Sequence, residues 1–385
     1  MSEDNSIPFG RPWITDEDRQ AVMDVLNGPI LTHGPKCEGF EKDFAQFMEG
    51  GHSVTTSSCT ASLHLFYMHL GIGAGDEVIL PSISHVATAH SLEITGARPV
   101  FVDCLADTGN VDPDLLEAAI TPATKAICIV HFNGIPADMD RVMAVANKHN
   151  LPVLEDCATG LGAKWNGVHV GLFGDGAGFS FYPAKHITAG EGGMFSSRLS
   201  DVTGAVRRLR AFCYDRSLNE RALPGIYDVD GLGLNYRMSE MQAALGQSQL
   251  KRIGEMLDIR TRNFSLYKER MSDIEDVTIL ESTDPKGTDA HYCLTVMLSG
   301  AMAARRNDML AGLKDAGVGV SVHYPHPLPR LKYYREKYGY DETHFQNAAA
   351  ISDCSLNLPV APHIDGAAVE RICNTFSSLV NEFKK

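Results

Sequence analysis

Residues 178–193 read GFSFYPAKHITAGEGG, and the organisation of the chain is best read outward from them. Lys185 stands at the centre, with Phe181, Tyr182 and Pro183 before it, Ile187 after it, and the glycine-rich run Gly190-Glu191-Gly192-Gly193 beyond. Desolvation in such surroundings disfavours an ammonium and frees the amine to attack a carbonyl. The segment equally fits a surface lysine whose stem lies over the aromatic rings while its head stays in water. Other parts of the chain have to choose between the two.

Upstream, residues 76–156 alternate short apolar runs with helical segments: EVILP, a helix near 88–93, ARPVFVDC, a helix near 112–119, AICIVH, a helix near 138–149, and LPVLED. That alternation predicts a mostly parallel sheet covered by helices, an α/β architecture. Ligands of such sheets collect at the carboxyl ends of the strands, which makes residues 81–85, Asp103, His131, Asn133 and Asp156 candidates. Asp156, closing the run Val153-Leu154, either faces a buried cation or ligand nitrogen or caps the next turn. The hydroxyl-rich start of a helix over 61–70, with Thr60 and Ala61 at its head, suits a phosphate, and it suits plain N-capping as well.

Helical spacing also covers 15–26 and 40–48, and, beyond a loop at 222–233, a helix from about Ser239 that extends to Leu257. The pattern then changes to apolar runs at 277–280 and 293–298, a helix over 306–315, a run at 318–324 and a last helix over 366–383. We therefore expect a large domain over 1–254 and a smaller α+β domain over 255–385. A chain of 385 residues fits two such units.

Composition narrows the function. Hydrophobic residues at 44% and charged residues at 21% describe an ordinary globular protein, and no apolar run reaches bilayer length. The net charge of −14 offers no field for nucleic acid or an anionic membrane. The acidic N-terminus lacks the basic and apolar regions of a secretory signal, so a cytoplasmic location is expected. The nine cysteines are scattered and never in metal-ligand spacing, which predicts reduced thiols and no metal site.

With these segments in view, the chain resembles pyridoxal 5′-phosphate (PLP) aminotransferases of fold type I, in the DegT/StrS group of sugar-nucleotide aminotransferases. The likeness rests on GRPWITDED, GPILTHGPKCEGFEKDFA, SSCTASLHL, DEVILPSISHVATAHSL, GARPVFVDC, VLEDCATGLGA, SFYPAKHITAGEGG, GLNYRMSEMQAALG and SLNLPVAPH, in that order along nearly the whole chain. It implies that Lys185 forms the Schiff base with PLP and shuttles the substrate proton, and that Asp156 pairs with the pyridine nitrogen. It further implies phosphate binding by the Thr60 and Ala61 amides and the Ser180 hydroxyl, with Asn235 reaching the cofactor of a second subunit in a homodimer.

Two positions depart from the family pattern. His85 stands where an aromatic ring usually lies against the cofactor, and Thr159 where glutamine usually approaches the cofactor 3′-oxygen. A related group of dehydratases replaces the lysine by histidine, and His186 adjoins Lys185, but the register keeps Lys185 at the Schiff-base position. The resemblance thus implies amino transfer from a donor such as glutamate to a nucleotide-linked keto-deoxy sugar. A PLP-dependent dehydratase and a catalytically silent regulator on the same scaffold are the alternatives. His323, Tyr324 and His326 either face the sugar nucleotide or form a structural aromatic cluster. Arg237 either holds the donor carboxylate or braces its loop.

Overall fold

The computed structural model describes residues 6–216, 223 and 225–384. The start of the acidic N-terminus and Ala222, where the loop of 222–233 is expected to begin, lie outside them. In chain order the strands are β1 (His52–Thr56), β2 (Glu77–Pro81), β3 (Arg98–Val102), β4 (Thr124–Val130), β5 (Val153–Asp156), β6 (Lys164–Trp165), β7 (Val168–His169), β8 (Gly176–Ser180), β9 (Gly193–Ser197), β10 (Val277–Ile279), β11 (Gly287–Thr288), β12 (Leu294–Leu298) and β13 (Ser355–Leu358). The helices are α1 (Asp16–Leu26), α2 (Pro35–Phe47), α3 (Cys59–His69), α4 (Val86–Glu93), α5 (Pro113–Ala118), α6 (Met139–His149), α7 (Ser200–Leu209), α8 (Glu240–Leu250), α9 (Ile253–Met271), α10 (Arg306–Asp315), α11 (Lys332–Tyr338), α12 (Gln346–Cys354) and α13 (Gly366–Phe383).

Seven strands form one sheet in the order β1-β9-β8-β5-β4-β2-β3, parallel except for β9, which runs against both β8 and β1. Its central strands are buried on both faces, which is why EVILP, AICIV and VLED read as continuous apolar runs instead of alternating ones. One core, with Leu63, Phe66, Val78, Leu80, Cys128 and Leu154, lies under α3 and α4; another, with Ile79, Ile127, Ile129, Met139 and Val142, lies under α6. The outer strand β3 carries Pro99, a residue without an N–H that suits a sheet edge. The expected α/β architecture with its mostly parallel sheet is what the chain adopts.

A second sheet, β10-β12-β13, is antiparallel and packs against α9, α10 and α13. Helix α9 serves two cores: Ile253 and Met256 enter the one that holds Phe179 and Phe181, whereas Phe264, Tyr267 and Met271 enter the one under the second sheet.

Two local expectations differ from the structure. The helix expected to extend from 239 to 257 is broken, because Arg252 leaves helical geometry (φ −108°, ψ 10°) and sends its guanidinium to Asp18, 2.6 Å away, and over the Trp13 ring. Residues 318–324 form no strand. They make single bridges, Val318 to Ile7 and Ser321 to Asn357, because the N-terminal segment crosses there. No helix among the described residues is long and apolar enough to cross a membrane.

Candidate active site

β5 delivers Asp156 to the carboxyl end of the sheet, 4% exposed, between β4 and β8. Its Oδ1 accepts the Ala158 N–H at 3.0 Å and lies 3.7 Å from the Cys59 thiol at the start of α3. Its Oδ2 accepts the Thr88 hydroxyl at 2.7 Å. Among the described residues no lysine or arginine is ion-paired with it. Burying a charge without a partner is costly, so a carboxylate kept this way marks a place where a ligand can supply the positive group.

Lys185 follows β8 in a tight turn, its N–H bonded to the Tyr182 carbonyl at 2.9 Å. The side chain is part-buried, and its amine sits 4.7 Å from the centre of the Tyr292 ring. Burial of that amine lowers the lysine pKa, while the negative charge of Asp156 opposes the shift. The result is the desolvated lysine anticipated from Phe181, Tyr182 and Pro183, although Tyr292, far off in sequence, supplies the closest ring contact that the structure shows for the amine.

An aromatic run lines the same place. The rings of Tyr292 and His323 stack at 5.6 Å and 27°, His323 adjoins Tyr324 at 5.4 Å, and Tyr324 meets His85 edge-on at 5.8 Å. His323 is pushed down to about 3 by burial, with the charges of Lys185 and His85 adding to the effect, so it is a neutral imidazole. His85 caps α4, its Nδ1 accepting the Ala87 N–H at 3.2 Å, and leaves its ring exposed. His326 is exposed and accepts from Arg330 Nε at 3.1 Å.

His186 also lies beside Tyr292, with ring centroids 5.9 Å apart, but its nitrogen is bonded into the core. It is buried, its Nε2 lies 2.9 Å from the Ala290 carbonyl, and burial followed by the charge of Arg260 lowers its pKa well below the usual histidine range. It is therefore neutral and tied into the core.

The head of α3 comes to the site through glycine. A Cβ on Gly193 would lie 2.3 Å from the Ser58 carbonyl carbon, so only glycine lets β9 approach so closely. Ser180 pairs with Gly193 across β8 and β9, which sets the serine beside that helix start. Ser58 caps the helix by accepting the Ala61 N–H at 3.1 Å. The capping reading of this hydroxyl cluster is the one seen here: Ala61 is capped, and Thr60 stands beside it at the second helical position. Thr159 is buried and its hydroxyl donates to the His131 carbonyl at 3.0 Å.

Asn235 and Arg237 are not drawn into this cluster within one chain. Asn235 bridges Ala211 through the backbone and its side chain is exposed. It does not cap α8, since that role belongs to Ser239 in a capping box with Gln242. Arg237 lays its guanidinium 5.2 Å over the Phe212 ring, with Nη1 buried and unpartnered.

Three other strand-end residues serve the scaffold. Asp103 accepts the N–H groups of Asn347 and Ala348 at the start of α12, and Asn133 donates to the Thr295 hydroxyl. His131 bonds Glu155 at 3.0 Å, and the same carboxylate accepts the N–H groups of Gly171, Phe173 and Gly174. Together with Cys157, His131 and Glu155 are the one group of close metal-type ligands among the described residues, and the carboxylate of that group is already filled. Sequence reading overlooked Tyr292, Thr88 and Cys59. For Thr88 a signal existed, a hydroxyl four residues after Ser84; for Tyr292 there was none.

The sequence profile of the DegT/DnrJ/EryC1/StrS aminotransferase family matches residues 12–377. The chain is 35% identical over 379 residues to the spore coat polysaccharide biosynthesis protein SpsC of Bacillus subtilis, covering 97% of each. It is 32% identical to the UDP-4-amino-4-deoxy-L-arabinose–oxoglutarate aminotransferase of Shewanella sediminis, covering 97% of this chain and 98% of that one. The fold superposes on Streptococcus pneumoniae Spr1654 in its PMP-form with a TM-score of 0.93, at 28% identity and over 98% of this chain and 100% of that one, and on its PLP-form with 0.92.

Proposed function

The chain belongs to the DegT/DnrJ/EryC1/StrS aminotransferase family, and from that membership we propose that it transfers an amino group from glutamate to the keto carbon of a nucleotide-linked keto-deoxy sugar, using PLP. The observation that carries the reading is a desolvated lysine within electrostatic reach of a buried carboxylate that, among the described residues, forms no ion pair. The Shewanella relative's name, with its UDP-sugar and oxoglutarate, favours the substrate and donor classes.

The residues present fit the cofactor. Lys185 would hold it covalently, Asp156 would meet its ring nitrogen, and Thr60, Ala61 and Ser180 would surround its phosphate at the α3 N-terminus. His85 would lie against the ring, and Thr159 near its 3′-oxygen. When bound, PLP supplies an electron sink for charge developing on the substrate carbon. Burial lowers the Lys185 pKa and so makes its amine a readier carrier of the substrate proton than an exposed lysine. Tyr292 holds that amine over its ring face, and His323 and Tyr324 form the wall against which the sugar nucleotide would lie. His186, tied to Ala290, leaves the proton to Lys185, which favours amino transfer over the dehydratase reading. Mass spectrometry of a panel of nucleotide-linked keto sugars incubated with glutamate tests the proposal. A product that has gained nitrogen is expected; a deoxy-keto product with released ammonia would establish the dehydratase instead.

The same reading makes the protein a cytoplasmic homodimer of two-domain chains, divided near residue 254 in the first turn of α9. Leu223, Ile226, Tyr227, Val229 and Leu232 are exposed apolar residues just before Asn235, as a surface covered by a second copy requires. Asn235 and Arg237 would then act toward the neighbouring site, Asn235 on the phosphate and Arg237 on the donor carboxylate. Mixing inactive Lys185→Ala and Asn235→Ala chains should restore activity to about half per hybrid dimer, because one site of each hybrid escapes both changes. Hybrids that form and stay inactive would place Asn235 in its own chain's site.

A further inference from the structure

Asp156 is fed by a chain of hydroxyl groups. Ser84 Oγ lies 2.6 Å from Thr88 Oγ1, and Thr88 Oγ1 lies 2.7 Å from Asp156 Oδ2. All three side chains are at most 4% exposed. A carboxylate only accepts, so the Thr88 proton points to Asp156, and the lone pair facing Ser84 must then receive the Ser84 proton. The direction of the chain is fixed without reference to any ligand. On the other side of the carboxylate, Oδ1 takes the Ala158 N–H and the Cys59 S–H. An ionised carboxylate offers about four acceptor positions, and three are filled from within the chain. About one remains, which is what a single ring N–H needs.

We propose that Ser84 and Thr88 are positioning residues that lock the Asp156 carboxylate in rotation, leaving one acceptor position for a protonated heteroaromatic nitrogen. The inference rests on the proposed role of Asp156 toward PLP and extends it to residues that do not touch the cofactor. The local fold explains how one short segment does two things. After β2 the chain reads Ser82-Ile83-Ser84-His85 and enters α4; His85 at the cap faces the cleft, while Ser84 and Thr88, one helical turn apart, face inward to β5. The Thr88 N–H also donates to the His85 carbonyl at 3.1 Å, a backbone bond that valine would keep, and valine would fill the side-chain space without the hydroxyl.

The test compares Thr88→Val, Thr88→Ser, Ser84→Ala and Asp156→Asn, each loaded with PLP labelled with 15N in the ring. The readouts are the 15N chemical shift against pH and the PLP dissociation constant. Thr88→Val should lower the pH at which the ring nitrogen loses its proton and weaken PLP binding about tenfold or more, the size expected for one hydrogen bond to a charged group. Thr88→Ser should restore both, and Ser84→Ala should shift them in the same direction by less. A purely packing role for Thr88 would leave the 15N profile unmoved. If Asp156→Asn changes the 15N profile and Thr88→Val does not, the relay is wrong while the Asp156 assignment stands. If Asp156→Asn also leaves it unchanged, the assignment itself fails. Should Thr88→Val not fold, Ser84→Ala decides: an unshifted profile in that variant overturns the relay.

Discussion

Lys185→Ala protein is expected to fold and take up PLP without covalent attachment, and to lose amino transfer. In the parent protein, borohydride should leave a pyridoxyl group on Lys185, found by peptide mass spectrometry; in the variant no such adduct should form. Loss of the positioned proton carrier alone is worth about 10²–10⁴-fold in rate, and loss of the attachment point adds to it. The structure makes the expectation specific to this lysine. Burial depresses it, its amine lies over Tyr292, and the one adjacent base, His186, is buried against the Ala290 carbonyl. An adduct on another lysine would overturn the assignment, and comparable turnover in Lys185→Ala would show that a different group moves the proton. Because the shift is downward, the neutral amine persists to lower pH than in an exposed lysine, so activity should hold on the acid side until that amine is protonated.

Asp156→Asn is expected to have the next largest effect. Asparagine keeps the size of the side chain and an oxygen for the Ala158 N–H, which the structure shows at 3.0 Å, so the turn after β5 should survive. What disappears is a buried negative charge that forms no ion pair among the described residues and acts on the Lys185 amine from a distance. Preorganised electrostatic groups of this kind are worth about 10²–10³-fold in turnover, and a similar loss should appear here. Asp156→Ala should in addition weaken retention of PLP, because shape and hydrogen bonding go with the charge. The measurement is turnover with glutamate at saturating PLP, alongside the PLP dissociation constant. An asparagine variant as active as the parent would reduce Asp156 to the turn cap that its bond to Ala158 also makes it.

The sequence went far with the elements whose environment is set locally. EVILP, AICIVH and LPVLED are buried on both faces, so their apolar runs announce parallel strands without any knowledge of their neighbours. The ends of α10 and α13 fell where expected for a similar reason, since amphipathic spacing sets them. Expectation failed where a distant partner outweighed the local pattern. Helical spacing continues smoothly through 251 and 252, yet Asp18 and Trp13, more than two hundred positions earlier, pull Arg252 out of the helix.

The candidate site divides along the same line. From the sequence alone, Asp156 is placed at a strand end and Lys185 in apolar surroundings, because both statements depend on residues within a few positions of each. Their environments came only with the tertiary structure. Asp103, His131 and Asn133 occupy strand ends as well, and nothing in the sequence separates them from Asp156; the fold does, by spending them on α12, Glu155 and Thr295. Lys185 and His186 are neighbours in the chain and were both possible bases. Both side chains lie beside Tyr292, but the His186 nitrogen is taken by the Ala290 carbonyl while the Lys185 amine rests over the ring face. Composition and local pattern can fix which chemical groups a strand end presents. Which of them stay unpaired, and hence available to a ligand, depends on hydrogen-bond partners brought from remote parts of the chain, and only the folded structure sets those.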